Sequence, residues 1–199
     1  MTEMKFTKEA IINFFDPLAE GWDDHKKPDF TKLNTILDNA AVTEGKAVLD
    51  VACGTGILAP LLLERKVASV VGVDIAPEMI RIAQEKQRHP NFTFLAGDVE
   101  ELDFEHRFDC ILIFNSFPHF ADPEKLISRM AELLAPGGYL TVAHAMGREH
   151  MNHHHSGPAS AVSLDLMPAS ELAQIFERYL KTVTVIDEEQ MYQVVGVKE

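Results

Sequence analysis

Apolar and polar positions follow two periods along this chain, and the change from one period to the other marks its elements. Ile11, Ile12, Phe14 and Phe15, and later Leu33, Ile36 and Leu37, recur at helical spacing. Pro17 and Pro28 punctuate the gap between them, so residues 1–45 read as a helical cap within a single domain spanning 1–199. From Lys46 onward, short apolar runs alternate with helical patterns. Strands are expected at Ala47–Val51, Ser69–Asp74, Phe92–Ala96, Phe108–Phe114 and Tyr139–His144. Helices are expected at Ile57–Glu64, Pro77–Gln87, Pro123–Leu134 and Ser170–Tyr179, the third stopped by Pro136-Gly137-Gly138. Pro60 and Pro77 fall in first turns, where a missing N–H costs little. The apolar character of Phe108–Phe114, continuous from Cys110 onward, implies a strand covered on both faces. Thr182–Ile186 and Tyr192–Val197 are joined by a segment too short for a crossover, so they are expected to pair antiparallel. The pattern is α/β, with helices on both faces of a mostly parallel sheet that ends in an antiparallel hairpin.

Composition narrows the partners. The chain has 199 residues, 46% hydrophobic and 25% charged, as in ordinary globular proteins. Its formal charge of −13, with no basic stretch, argues against nucleic acid held through phosphates. The cluster Glu100, Glu101, Asp103 and Glu105 reads as a solvated loop. Cys53 and Cys110 lie in or beside apolar runs, which fits reduced core thiols and a cytoplasmic location. The opening MTEMKFTKEA has no basic segment followed by an apolar one, so no signal peptide is expected. The uncharged run Leu133–Gly147 is interrupted by Pro136 and falls short of the roughly 18 residues a membrane span needs.

The chemistry starts at LDVACGTGILAP, residues 49–60. Gly54, Gly56 and Ala59 satisfy a G-x-G-x-x-A fingerprint, and Asp74 lies 20 residues after Gly54. Alone, this admits NAD and a dehydrogenase. Asp50 discriminates, because a pyrophosphate at a helix N-terminus disfavours a nearby anion. An α-ammonium and a sulfonium, as in S-adenosylmethionine, suit a buried aspartate. The alternative is that Asp50 merely caps the turn.

With these residues in place, the chain resembles the class I S-adenosylmethionine-dependent methyltransferases, which have a Rossmann-like seven-stranded sheet. VLDVACGTG, VVGVDIAPEMI, FLAGDVEEL and FDCILIFNSFPHF are similar to their first four motifs, in order, and ELLAPGGYLTVAH to the loop and strand that follow. The resemblance implies that Asp50, Ala52, Gly54 and Gly56 approach the methionine end of the cofactor. It implies Asp74 on the ribose, Ile75 on an adenine face, Asp98 on the adenine amino group and the Val99 N–H on a ring nitrogen. Asn115 would face the methyl-transfer centre. Asp98 could instead be a turn residue after Gly97.

FFDPLAEGWDDH, residues 14–25, resembles the start of ubiquinone/menaquinone-type methyltransferases, which implies a lid carrying Phe15, Trp22 and Asp23. The alternative is an amphipathic helix packing Trp22 on the core.

Histidines are the remaining signal. His119, in NSFPHFAD after the fourth strand, is a general base for methyl transfer to a protonated nucleophile, or else a hydrogen-bonded loop residue. In HAMGREHMNHHHSG, His150 and His154 share a face if the segment is helical, which could give two legs of a metal site with Glu149 or His153 as a third. Arg148, Glu149, Asn152 and His155 also resemble an Arg-Glu-x-x-Asn-x-x-His pattern of small bacterial relatives. Three readings stand: a substrate cap including Arg148, Asn152 and His155, a metal site, or a solvated loop. The expected function is S-adenosylmethionine-dependent methylation of a small molecule, yielding S-adenosylhomocysteine. The alternatives are a non-catalytic cofactor- or metal-binding module and an NAD-dependent oxidoreductase.

Overall fold

A computed structural model describes residues 6–24, 27–155 and 157–199, without the side chains of His154 and His155. Its strands are β1 (Ala47–Val51), β2 (Ser69–Asp74), β3 (Phe92–Ala96), β4 (Phe108–Phe114), β5 (Leu134–His144), β6 (Lys181–Glu188) and β7 (Met191–Val197). Its α-helices are α1 (Lys8–Phe15), α2 (Phe30–Asn39), α3 (Ala59–Glu64), α4 (Pro77–Lys86), α5 (Pro123–Leu133), α6 (Arg148–His155) and α7 (Ala169–Phe176). Single 3₁₀ turns occupy Asp16–Gly21, Phe117–His119 and Pro158–Val162.

All seven strands form one sheet in the order β3-β2-β1-β4-β5-β7-β6. β1 to β5 are mutually parallel, and β7 enters antiparallel between β5 and β6. The expected hairpin is therefore present, with its second strand on the inside. The order reverses between β1 and β4, and a crevice opens beyond the carboxyl ends of adjacent strands at such a reversal.

Apart from half-buried Asp109 near its start, β4 is apolar because it has two cores to serve. Ile111 and Ile113 pack with Ile127, Met130, Leu172 and Phe176 from α5 and α7. Cys110, Leu112 and Phe114 pack with Leu33, Ile36 and Leu37 of α2 and with Leu61 and Leu62 of α3. Each such side chain taken from water contributes about 1.5–3 kcal/mol, so a polar residue between Cys110 and Phe114 would be costly. Both cysteines are buried free thiols.

Pro136-Gly137-Gly138 does not stop the helix and precede the strand as expected, but lies within the strand, since the helix already ends at Leu133. β5 starts at Leu134, opposite Phe108, and the register shifts before Cys110 pairs with Tyr139. Gly137 takes φ +75, while a Cβ on Gly138 would lie 3.0 Å from the Phe108 carbonyl oxygen. The glycines thus build a bulge with its hydrogen bonds completed by Lys198, whose carbonyl accepts from Gly137 and whose N–H donates to Gly138. Among the described residues, no helix is long and apolar enough to cross a membrane.

Candidate active site

The loops after β1, β2, β3 and β4 meet at the reversal point and surround a cavity of about 1210 Å³. α1 and the following 3₁₀ turn close one side of it, and Met146, Met151, Pro158 and Ala159 contribute from the segment after β5.

The turn after β1 is shaped by its backbone. Ala52, Gly54 and Gly56 all have positive φ, +52, +54 and +84, which glycine adopts without the steric cost that a Cβ imposes. Gly54 and Ala52 line the cavity; Gly56 is not among the lining residues. A Cβ on Gly56 would contact Ala83 and Phe94, so its place is in packing the turn against α4 and β3. Asp74, at the end of β2, fixes the turn. Its Oδ2 accepts the Gly54 N–H at 2.8 Å and its Oδ1 accepts the Ala76 N–H at 2.9 Å.

Two carboxyls therefore face one buried volume. Burial, reinforced by the charge of Asp74, pushes the Asp50 carboxyl up to about 7. Burial raises Asp74 to about 6 against the opposing effect of its two backbone hydrogen bonds. Such a pair favours an incoming cation.

Ile75, Asp98 and Val99 line the adjoining wall. Asp98 Oδ1 accepts the Glu100 N–H at 2.8 Å, and Lys8 of α1 forms an ion pair with Oδ2. Lys8 also reaches Glu101 Oε1 at 2.5 Å, and these two acids hold its ammonium well above the usual lysine range. Nothing in the sequence marks Lys8, since it is one lysine at the start of an amphipathic helix, 90 residues from its partner. Asn115, at φ +53, ties the ends of β4 and β5 together: its N–H donates to Ala143 and its Oδ1 accepts the Ala145 N–H at 3.0 Å. Asparagine tolerates this left-handed conformation better than most side chains.

The N-terminal segment covers the cavity. Phe15 meets Trp22 edge-on at 5.7 Å and His119 at 4.9 Å between centroids. Trp22 stands over the glycine turn, its Nε1 3.7 Å from where a Gly54 Cβ would lie. The segment is fastened at three points. Asp16 accepts the Glu78 N–H at 3.1 Å, Asp23 accepts from the Thr55 hydroxyl at 2.9 Å, and Lys86 pairs with Asp23 at 2.8 Å.

His119 lines the cavity, and its Nδ1 lies 2.9 Å from the Val162 carbonyl oxygen and 3.1 Å from Ser163 Oγ. The segment after β5 is helical, as the histidine spacing requires, but its polar side chains do other work. Arg148 pairs with Asp187 at 3.3 Å, and Asn152 bonds both backbone groups of Leu166; neither lines the cavity. The helix presents Met151 to the cavity instead. His150 and His153 are exposed. Among the described residues, no three His, Cys, Asp or Glu side chains gather closely enough to hold a metal ion. The side chains of His154 and His155 lie outside the described residues, as does His25.

A glycine turn after β1, an acid ending β2 and a second acid after β3 line one cavity at the sheet reversal of a Rossmann-like α/β domain, the place where such sheets bind ligands. Residues 48–138 match the methyltransferase domain family. The chain is 30% identical over 148 residues to a ubiquinone biosynthesis O-methyltransferase of Coxiella burnetii, covering 70% of this chain and 63% of that protein. It is 43% identical over 110 residues to a demethylmenaquinone methyltransferase of Thermus thermophilus, covering 53% and 50%. The chain thus spans about half to two thirds of the length of these curated relatives. The structure of the N-methyltransferase NodS of Bradyrhizobium japonicum with S-adenosyl-L-homocysteine superposes with a TM-score of 0.70 at 16% identity, covering 98% of this chain and 99% of that one. Residues 48–138 thus carry a methyltransferase domain, set in a fold shared with that S-adenosyl-L-homocysteine-bound structure.

The residues present fit S-adenosylmethionine: buried Asp50 offers a carboxylate to an ammonium, and the cavity runs continuously from it to Asp98. The match also removes the dehydrogenase alternative, in agreement with the objection that Asp50 raises to a pyrophosphate.

Proposed function

We propose that this protein methylates an oxygen of a small, largely apolar acceptor, with His119 as the general base. When bound, S-adenosylmethionine supplies an electrophilic methyl group and leaves as a neutral thioether. Asp50 holds its ammonium, Asp74 its ribose, and Asp98 and Val99 its adenine, with Ile75 against the ring. Residues of α1 and the segment after β5, Phe14, Phe15, Met146 and Met151 among them, surround the acceptor and exclude water.

The observation that carries this reading is His119. A carbonyl holds one ring nitrogen at the edge of an apolar chamber, so the other nitrogen carries the basic lone pair. A hydroxyl acceptor must lose its proton as the new bond forms, and Nε2 of His119 receives it. A relative named for O-methylation in ubiquinone biosynthesis supports an acceptor of this kind.

The test is release of S-adenosylhomocysteine from panels of hydroxylated aromatics, amines and thiols. Hydroxylated aromatics are expected to turn over, and His119→Ala to lower kcat by about 10²–10⁴-fold. Turnover confined to amines or thiols would refute the oxygen-acceptor reading, and an unchanged kcat in the variant would refute the general-base role of His119.

A further inference from the structure

Arg148 and Asn152 take no part in lining the cavity, yet their hydrogen bonds lead back to His119. Asn152, on α6, grips the backbone of Leu166 in both directions. Its Oδ1 accepts the Leu166 N–H at 2.7 Å and its Nδ2 donates to the Leu166 carbonyl at 3.2 Å. Leu166 lies in the irregular stretch that leaves the 3₁₀ turn at Ser163. Within it, the Leu164 N–H donates to the Pro118 carbonyl at 2.7 Å, locking the stretch to the turn that carries His119. At the other end, buried Ser163 donates its hydroxyl to the Ala159 carbonyl at 2.8 Å. Arg148, through Asp187, joins this framework to the start of α7, where the Ala169 N–H donates to the same carboxylate oxygen at 3.0 Å.

This framework fixes which nitrogen of His119 bears hydrogen. A carbonyl can only accept, so the 2.9 Å contact to Val162 requires Nδ1–H. The Ser163 hydroxyl has its hydrogen committed to Ala159, so at 3.1 Å its oxygen is also an acceptor for Nδ1–H. Both partners demand the same tautomer. It is the one that histidine side chains in water adopt less often, so it has to be imposed.

We infer that Ser163 and Asn152 are positioning residues for His119: the Val162–Leu166 stretch, clamped by Asn152, holds the ring as the Nδ1–H tautomer and keeps Nε2 as the proton acceptor. The inference rests on the reading of His119 as general base for its catalytic meaning, but its geometry is measurable without any acceptor. It also gives Asn152 a physical role, in which a side-chain amide on one segment sets the tautomer of a histidine on another.

The experiment is long-range ¹H–¹⁵N correlation spectroscopy of His119 in the full chain near pH 8, in wild type, Ser163→Ala, Ser163→Thr and Asn152→Ala. Wild type is expected to show a pyrrole-type Nδ1 and a pyridine-type Nε2. Ser163→Ala and Asn152→Ala should each raise the Nε2–H population several-fold, and Ser163→Thr, which keeps the hydroxyl, should restore the wild-type pattern. S-adenosylhomocysteine affinity within about twofold of wild type, a change of under 0.5 kcal/mol, certifies each fold. If Asn152→Ala does not fold, the Ser163 pair decides the matter. A wild-type Nε2–H tautomer, or nitrogen shifts unmoved by loss of Ser163, overturns the inference. An unchanged kcat in His119→Ala would instead remove the general-base reading and leave the spectroscopic result intact.

Discussion

Cofactor affinity should depend on pH through Asp50, and the structure sets the size of the effect. Burial beside Asp74 places the Asp50 carboxyl at about 7 in the empty site. A bound ammonium needs the carboxylate, so affinity scales with the ionised fraction. That fraction is about 0.9 at pH 8 and about 0.1 at pH 6. S-adenosylhomocysteine should therefore bind about tenfold more weakly at pH 6, a loss of ~1.4 kcal/mol. Asp74, raised to about 6, is half-protonated at that pH and adds at most about another factor of two. Isothermal titration calorimetry in buffers of different ionisation enthalpy measures both the affinity and the proton released on binding. Asp50→Asn should bind more weakly at pH 8 and lose most of the slope. A flat affinity between pH 6 and 8, or an undiminished slope in Asp50→Asn, would refute the assignment of Asp50 to the ammonium. The same shift bears on stability with the opposite sense. Because the folded pKa is raised, the folded chain retains a proton that the unfolded chain loses, so the empty protein should weaken as pH rises from about 4 through about 7, by at most ~4 kcal/mol.

Three further outcomes are expected. Lys8→Ala should free Asp98 Oδ2 for the cofactor and raise S-adenosylhomocysteine affinity by up to about fivefold, the range of an exposed ion pair, as read by stopped-flow binding; a weaker complex would show that Lys8 helps to hold the ligand. Trp22 is the only tryptophan in the chain and stands over the glycine turn, so its fluorescence should change on titration with S-adenosylhomocysteine, and Trp22→Phe should be silent. Gly147→Ala would place a Cβ against the carbonyls of Glu188 and Glu189, 2.5 Å from the latter, and should cost about 1–3 kcal/mol in urea denaturation.

Much of the sheet is legible in the chain alone, because β1, β2 and β4 are apolar enough on both faces to exclude other assignments. The place of β7 between β5 and β6 is a different matter: its periodicity shows a strand but not its neighbours. Pro136-Gly137-Gly138 misleads because the same residues that end helices also form bulges, and the choice depends on Lys198, 60 residues later in the chain. In the site, the acids at strand ends carry local signals: glycines follow Asp50, and an apolar strand precedes Asp74. Lys8, Met151 and Ser163 carry none. Their roles come from what lies across the cavity or the hydrogen bond, and a helix face or an isolated serine does not announce its partner. Arg148 and Asn152 stand out as a pattern, but their bonds run to backbone and to Asp187 rather than to the cavity.

The cavity wall divides by origin. One half is made by strand ends and the tight turns that follow them, held in place by the sheet. The other half belongs to α1 and the excursion from 145 to 166, which the sheet merely supports. A lineage built this way can keep its socket and change its faceplate. Grafting a relative's 145–166 segment onto this chain should alter which acceptor is taken while the grip on the cofactor stays as it was, so new specificities can arise here by splicing rather than by redesign of the scaffold.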